Sequence, residues 1–289
     1  MRQLNYHRPQ ELKGALELLD NYGPQARVLA GGTDLLVALR SDNMPEKVKH
    51  IVDISNIGEL KKIDLTAKEA NLGPLVTHAE IDKQDKLTDK IPFLQQAVRA
   101  IGSPQIRTRG TLGGNICNAA PCADTVPPLV ALEAEVKLTS LREERQMSLA
   151  DFLTGPYQTA RQPQEVLTNI CFSLPEEGSA TAFMKLGRRK ALAISRMSVA
   201  AIIKLNEQGR VTDFSLATGS VTPSIRRLKE AEEILKGEKP EQKVLDQVAK
   251  EVAEQMIASS GYRWSTSYKE PVIQTLVSRT IAQALGEIS

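Results

Sequence analysis

The amino-acid sequence predicts an α+β protein of two parts, with a boundary near residue 176. Short strand patterns alternate with helical patterns before that point, and three longer strand patterns follow it. Three helical patterns then close the chain. Strands followed by helices are typical of a domain whose helices cover one face of an antiparallel sheet. We therefore expect one domain at 1–176 and an α+β domain at 177–289.

The first part opens with an amphipathic helix at 10–22, which Gly23-Pro24 ends. Thr77, with Glu80 three residues later, predicts a helix start with a capping box. The other elements predicted before residue 102 are strands at 27–30, 51–54 and 69–73 and a helix at 91–101.

Residues 102–124 are dense in Gly, Ser, Pro, Asn and Thr and show little regular periodicity. A stretch of this kind inside a compact domain is usually functional. Strand patterns at 134–138 and 165–174 follow, and the turn residues 175–178, Pro-Glu-Glu-Gly, mark the predicted boundary.

The second part should contain the antiparallel sheet and its covering helices. Apolar runs predict strands at 182–187, 197–206 and 211–218. Helical spacing predicts helices at 224–236, 241–257 and 267–285.

Charge and composition exclude several classes of protein. Lys plus Arg is 37 and Asp plus Glu is 35, and aromatic residues make up only 4% of the chain. A balanced charge and few aromatics argue against a nucleic-acid-binding protein. The apolar run at 197–203 is far shorter than the roughly 20 residues of a membrane span. With no signal-peptide pattern at the start, we expect a cytoplasmic protein without a membrane span.

The reactive side chains do not form a catalytic or metal-binding pattern. Three cysteines cannot supply the four thiolates of an ordinary iron–sulfur cluster. Cys117 and Cys122 flank a glycine-rich loop, where we expect small packing residues; a redox role for them is left open. The three histidines are far apart in sequence. We expect neither a catalytic acid–base pair nor a metal site in this chain.

A first glycine pair follows directly on the predicted strand at 27–30, in Gly31-Gly32-Thr33-Asp34. Glycines permit positive φ and close approach of the backbone to a ligand. Successive amide N–H groups in such a turn form a nest for an anion. The alternative interpretation is an ordinary tight turn.

A second glycine pair lies in Thr111-Leu112-Gly113-Gly114-Asn115. Asp124 follows nine residues after Asn115, and an acidic group near a nucleotide loop commonly accepts hydrogen bonds from ribose hydroxyls. The alternative for Asp124 is the N-cap of a helix that starts at Thr125. Neither turn has the Rossmann or Walker A spacing, so a nucleotide would bind on a different scaffold.

We expect both turns to be needed to hold one nucleotide. Hydrogen bonds to a charged group contribute about 1.5–3 kcal/mol each. One turn therefore cannot supply the roughly 12 kcal/mol of nanomolar binding. Backbone amides from both diglycine turns would then converge on one diphosphate.

The ordered set of motifs resembles a known family over essentially the whole chain. The motifs are 30–34 (AGGTD), 102–107 (GSPQIR), 110–116 (GTLGGNI), Asp124 and 182–189 (AFMKLGRR). They resemble the FAD-binding medium subunit of molybdenum hydroxylases of the xanthine, carbon monoxide and nicotinate dehydrogenase type. The resemblance implies an FAD-binding fold of the PCMH/VAO type, with α/β subdomains at about 1–56 and 57–176, before the C-terminal domain.

The resemblance also implies the residues that hold FAD. The two turns would wrap the pyrophosphate and flavin side, Gly102 would lie against the cofactor, and Asp124 would meet the adenosine ribose or nearby polar atoms. Leu167 would pack on the ring system, and Lys185 would reach the flavin from the second domain. The implied set is Val28, Leu29, Ala30, Gly31, Gly32, Thr33, Asp34, Leu35, Gly102, Thr111, Leu112, Gly113, Gly114, Asn115, Asp124, Leu167 and Lys185.

The implied function is that of an electron-transfer subunit. A molybdopterin-binding large subunit would oxidise the substrate, and a small subunit with [2Fe–2S] clusters would bring electrons to FAD. The acceptor would be NAD or another molecule. Two alternatives remain, a stand-alone FAD oxidase or dehydrogenase of the same fold and a non-catalytic nucleotide-binding subunit. No His or Cys lies between Val28 and Arg40 to tether a flavin, which disfavours the oxidase.

Overall fold

The structure is a computed structural model that describes residues 3–41, 45–189 and 192–286. Its helices and antiparallel sheets confirm the α+β class. Within the described residues no helix has the length and apolar character needed to cross a bilayer.

The N-terminal region is a three-stranded parallel sheet with order β1-β3-β2, packed against helix α1. Its elements are β1 (Asn5–His7), α1 (Leu12–Tyr22), β2 (Ala26–Leu29), α2 (Leu35–Arg40) and β3 (His50–Asp53). The sequence did not predict β1 or α2. β1 has only three residues, and α2 leaves Leu36 and Val37 exposed, so neither shows clear periodicity.

The middle region is built on a five-stranded antiparallel sheet with order β4-β5-β10-β6-β7. The strands are β4 (Ile63–Leu65), β5 (Glu69–Leu72), β6 (Glu135–Thr139), β7 (Glu144–Ser148) and β10 (Val166–Ser173). Helices α3 (His78–Asp82), α4 (Asp85–Lys90) and α5 (Pro92–Arg99) lie between β5 and the glycine-rich segment. The predicted capping box of Thr77 and Glu80 is present at the start of α3.

The segment 102–124 is more helical than its composition predicts. It contains α6 (Pro104–Arg107) and α7 (Leu112–Asn118), and α8 (Val126–Ala131) follows. The hydroxyls of Ser103 and Thr111 cap α6 and α7, which stabilises helices too short to show a periodic pattern. The remaining small elements are α9 (Leu149–Phe152), β8 (Leu153–Gly155) and β9 (Gln158–Thr159).

The C-terminal region is an antiparallel sheet of β11 (Ala180–Leu186), β12 (Met197–Leu205) and β13 (Val211–Gly219). Helices α10 (Lys229–Leu235), α11 (Gln242–Ser260) and α12 (Thr266–Ala284) pack on one face. The other face packs on α5 and α8 through Phe183, Ala200 and Ala217. The predicted helix at 224–236 starts five residues late because Arg227 instead forms a β-bridge to Ala217.

Candidate functional site

The first glycine turn lies at the C-terminal end of β2, between that strand and α2. Gly32 has a φ of +79°, a conformation that side chains other than glycine rarely adopt. Within the described part of the chain, the amide groups of Gly31, Gly32, Thr33 and Asp34 donate no hydrogen bond. These consecutive donors are free to bind an anion.

The two turns are in direct contact. A Cβ atom on Gly31 would lie only 2.0 Å from the carbonyl oxygen of Arg109, just before the second turn. Asn118, at the end of α7, donates from Nδ2 to Asp34 Oδ1 at 3.1 Å. The Gly31 backbone and the Asp34 carboxylate therefore join the turns that are 80 residues apart in sequence.

The second turn differs from the first, because its amides already have protein acceptors. Leu112 and Gly113 donate to the carbonyl oxygens of Val76 and Pro74 at 2.8 and 2.9 Å. Gly114 donates to Thr111 Oγ1 at 3.1 Å, and Asn115 donates to the Thr111 carbonyl at 2.9 Å. The expectation that amides of both turns converge on one diphosphate is therefore wrong for the second turn. Those amides already donate to the Pro74–Val76 segment and to Thr111, the N-cap residue of α7.

The second turn instead provides open space and a side chain. A Cβ on Gly114 would meet only Thr111 Oγ1, at 2.8 Å, whereas a Cβ on Gly113 would lie 2.4 Å from Pro74 Cβ. The Asn115 side chain accepts a hydrogen bond from Thr125 Oγ1 at 2.6 Å, which fixes its orientation. The Gly114 position thus leaves room beside the turn for a ligand.

His78 packs beneath the second turn. Its backbone amide donates to the Gly110 carbonyl at 3.1 Å, and a Cβ on Gly110 would lie 3.1 Å from His78 Cδ2. Burial, with a smaller effect of the nearby Arg107 charge, lowers the pKa of His78 to about 4. The ring is therefore neutral near pH 7 and supports the turn, as expected for a structural histidine.

A buried ion pair links the first part of the chain to the C-terminal sheet. Lys185 Nζ on β11 lies 2.5 Å from Asp124 Oδ2 and also donates to the Ala100 carbonyl at 2.9 Å. Burial raises the pKa of Asp124 to about 6, although the Lys185 charge opposes that shift. Asp124 Oδ1 is buried without a hydrogen-bond partner. The alternative that Asp124 is a helix N-cap is wrong, because Thr125 occupies that position of α8.

Asp124 and Lys185 line a cleft of about 190 Å³, here called the Asp124 cleft. The structure brings four predicted residues together in it, namely Gly102, Asn115, Asp124 and Lys185. Gly102 has a φ of +38°. The volume is below the roughly 300–1,000 Å³ of complete ligand sites, so the cleft can hold only part of a large cofactor.

The other predicted residues divide by burial. Val28, Leu29, Ala30 and Leu35 are half-buried around the first turn. Leu112 and Leu167 are buried in the main hydrophobic core, with 0% and 4% of their surface exposed. In the structure, their side chains pack against other core residues.

Sequence reasoning missed the part of the Asp124 cleft formed between β11 and β12. Leu192, Ala193, Ile194 and Ser195 all line it. The connection from Leu186 to Met197 is ten residues long, which exceeds the usual 2–5 residues of a hairpin loop. The unusual length of this connection was the one feature of the sequence that could have indicated a role in the cleft.

The cysteines do not supply a reactive thiolate. Burial raises the pKa of Cys117 to about 11 and also raises the pKa values of Cys122 and Cys171. Among the described residues, no group of three or more His, Cys, Asp or Glu side chains is placed to hold a metal ion.

Comparison with known proteins identifies both parts of the chain. Residues 2–175 match the model of the FAD-binding domain in molybdopterin dehydrogenase. Residues 182–284 match the model of the CO dehydrogenase flavoprotein C-terminal domain.

Individual relatives match over nearly the full length. The xanthine dehydrogenase FAD-binding subunit of Escherichia coli O157:H7 is 34% identical, over 98% of this chain and 96% of the relative. The nicotinate dehydrogenase FAD-subunit of Eubacterium barkeri is 30% identical, over 100% and 98%. A chain of the reconstituted CO dehydrogenase from Oligotropha carboxidovorans superposes with a TM-score of 0.91 at 27% identity, covering 100% of both chains.

Proposed function

Because this chain belongs to the family of FAD-binding medium subunits of molybdenum hydroxylases, we propose that it receives electrons from [2Fe–2S] clusters and delivers them to NAD or another acceptor. Its partners in this proposal are a small subunit with the clusters and a molybdopterin-binding large subunit. FAD, when bound, supplies the redox chemistry that such a relay needs. The chain itself contributes binding, orientation and exclusion of water.

The free amides of the first turn are the observation that carries the proposal. Gly31, Gly32, Thr33 and Asp34 present successive N–H groups that meet no acceptor among the described residues. A diphosphate matches that array, because each oxygen can accept a charge-assisted hydrogen bond. FAD therefore fits the donors that this turn offers.

The Asp124 cleft fits the polar parts of the same cofactor. Asp124 Oδ1 is buried without a partner, so a ribose or ribityl hydroxyl could donate to it. Lys185 forms an ion pair with the other carboxylate oxygen of Asp124, at the predicted junction of the two domains. Gly102 and Asn115 would complete the contact from the side of the first domain.

The experiment that tests the site is the substitution Gly114→Val. Its added methyl groups would enter the space beside the second turn, so we expect the chain to lose FAD while it still unfolds cooperatively. Flavin absorbance per protein after gel filtration and a urea unfolding curve measure the two effects. Gly58→Val is the matched control, because it makes the same change at a glycine outside the proposed site, where nothing lies within 4 Å of the added Cβ.

These measurements test the position of the second turn and the role of the chain separately. Gly58→Val should keep FAD and unfold cooperatively, because Gly58 lies outside the proposed site. Stoichiometric FAD in Gly114→Val would contradict the proposed position of the second turn. Oxidation of a purine or an aldehyde by the isolated chain would contradict its role as an electron-transfer subunit.

A further inference from the structure

Arg107 is the last residue of α6 and belongs to the 102–107 motif, of which the proposed function uses only Gly102. Its Nη1 atom donates to the carbonyl oxygens of Ile101 at 3.0 Å and Gly102 at 3.2 Å, and more weakly to that of Arg99 at 3.4 Å. Arg107 forms no salt bridge with a carboxylate of the described residues. The guanidinium therefore bonds to the end of α5 rather than to a counter-ion.

The carbonyl oxygen between these acceptors, that of Ala100, bonds to a second cation. Lys185 Nζ donates to it at 2.9 Å and also lies 2.5 Å from Asp124 Oδ2. Two cations thus share the four successive carbonyl oxygens of residues 99–102, where the macrodipole of α5 places partial negative charge. Because Arg107 donates to three of these oxygens, Lys185 has only one of them to satisfy and keeps its contact with Asp124.

The segment that carries Arg107 also contacts both glycine turns. The Ile106 carbonyl accepts the amides of Arg109 and Gly110 at 3.1 and 2.7 Å. The Arg109 carbonyl lies against Gly31 in the first turn, and the Gly110 carbonyl accepts the His78 amide beneath the second turn. A displacement at the end of α6 would therefore be transmitted to both turns as well as to the end of α5.

We propose that Arg107 is a positioning residue for FAD, which holds the end of α5 so that Gly102 and Lys185 keep their places in the Asp124 cleft. Arg107 does not line that cleft itself and acts through those two residues. The inference rests on the proposed function and adds a residue outside the predicted FAD-binding set. Without Arg107, three carbonyl oxygens would compete with Asp124 for the Lys185 ammonium. The Gly102 backbone, with its φ of +38°, would also lose a hydrogen bond.

The test is FAD binding by Arg107→Gln, measured by calorimetric titration of the FAD-free full chain with FAD. We expect Kd to rise about tenfold or more, because the charge-assisted hydrogen bonds that hold the end of α5 are lost. The visible circular dichroism of the FAD-saturated variant should also differ from that of the unaltered chain, because Gly102 and Lys185 would lie differently beside FAD. A residue that contributed only to stability would leave the spectrum of the saturated chain unchanged.

Arg99→Gln is the matched control, because Arg99 lies in the last turn of α5 and its side chain instead pairs with Asp82, with Nε 2.5 Å from Oδ1. The substitution removes the same charge and leaves the carbonyl contacts of Arg107 in place, so Kd should stay within about twofold of the unaltered chain. Arg107→Lys keeps a cation at the carbonyl oxygens but not the guanidinium, and should raise Kd only about threefold.

Four results would overturn the role of Arg107: an unaltered Kd in Arg107→Gln, an unaltered spectrum of that variant at saturation, an equal loss in Arg99→Gln, or no tighter binding by Arg107→Lys than by Arg107→Gln. If Arg107→Gln does not fold, Arg107→Lys decides, and an unaltered Kd with an unaltered spectrum there would overturn the role. An unaltered chain that does not bind FAD would instead overturn the proposed function itself.

Discussion

The two glycine turns look equivalent in sequence and differ in what they offer a ligand. The first leaves its amide donors free, whereas the second has used its own on Pro74, Val76 and Thr111. In both turns, however, the two glycines differ from each other in the same way. The first glycine of each pair packs on the backbone of another segment, and the second glycine does not.

This difference shows that a diglycine motif combines separate physical requirements. Gly31 and Gly113 are glycines because other backbone atoms, of Arg109 and Pro74, occupy the place of a Cβ. Gly32 is a glycine because its φ is positive, and Gly114 is next to open space. Substitutions at the four positions should therefore have different effects on stability and on FAD binding.

The largest effect should come from Gly31→Ala. The new Cβ would lie 2.0 Å from the Arg109 carbonyl oxygen, and neither backbone segment can yield without breaking the contact between the turns. We expect a loss of about 3 kcal/mol or more in the free energy of unfolding of the FAD-free chain. Urea unfolding followed by circular dichroism measures it.

Gly58→Ala is the control for that substitution, since nothing lies within 4 Å of its added Cβ. It should unfold within about 0.5 kcal/mol of the unaltered chain. Unaltered stability in Gly31→Ala would mean that the two turns are not packed together as described.

A smaller effect should follow from Gly32→Ala. Its φ of +79° would cost about 1 kcal/mol for alanine, and Leu29 and Leu36 side chains at 3.1–3.2 Å can adjust. Gly209→Ala, with a φ of +73° and nothing within 4 Å, should lose similar stability. Only Gly32→Ala should also weaken FAD binding, as measured by flavin release on dilution. Equal FAD retention in both variants would remove Gly32 from the proposed site.

The sequence predicted the elements with long patterns well. The helix of 19 residues at Gln242–Ser260 and the strand at Met197–Leu205 have enough turns or alternations to be recognised. The short α2 and α7 were missed because capping and tertiary contacts, rather than periodicity, stabilise them. The domain boundary near residue 176 remains a prediction.

For the candidate site, motifs selected the residues, whose contact with FAD remains a prediction, whereas their hydrogen-bond partners could not be predicted. The glycine pairs, Asp124 and Lys185 could be selected from motifs, and the structure places Lys185 on Asp124. No sequence pattern shows that Pro74 and Val76 accept the amides of the second turn, because those contacts depend on how distant segments fold together. The burial of Leu167 in the core likewise depends on the register of β10.

Lowering the pH should change the free energy of unfolding in opposite directions through two buried groups near the second turn, His78 and Asp124. The pKa of His78 is lowered from 6.5 to about 4, so its stabilising effect is complete above pH 6.5 and is lost as the pH falls towards 4. The pKa of Asp124 is raised from 3.8 to about 6, so the buried carboxylate charge destabilises the folded chain at neutral pH. Protonation removes that cost as the pH falls through about 6 towards 3.8. Between about pH 7 and about pH 5.5 each contribution should change by roughly 1 kcal/mol.

Urea unfolding of His78→Gln and Asp124→Asn at the two pH values measures these contributions separately. His78→Gln should lose less stability on acidification than the unaltered chain, because its side chain takes up no proton. Asp124→Asn should lose more, because the favourable protonation of the carboxyl is gone. The same pH response in both variants would show that the burial of at least one of these groups is not as described. If the two substitutions change the loss of stability on acidification in opposite directions, His78 beneath Gly110 and Asp124 beside Lys185 make opposing contributions to the pH dependence of stability.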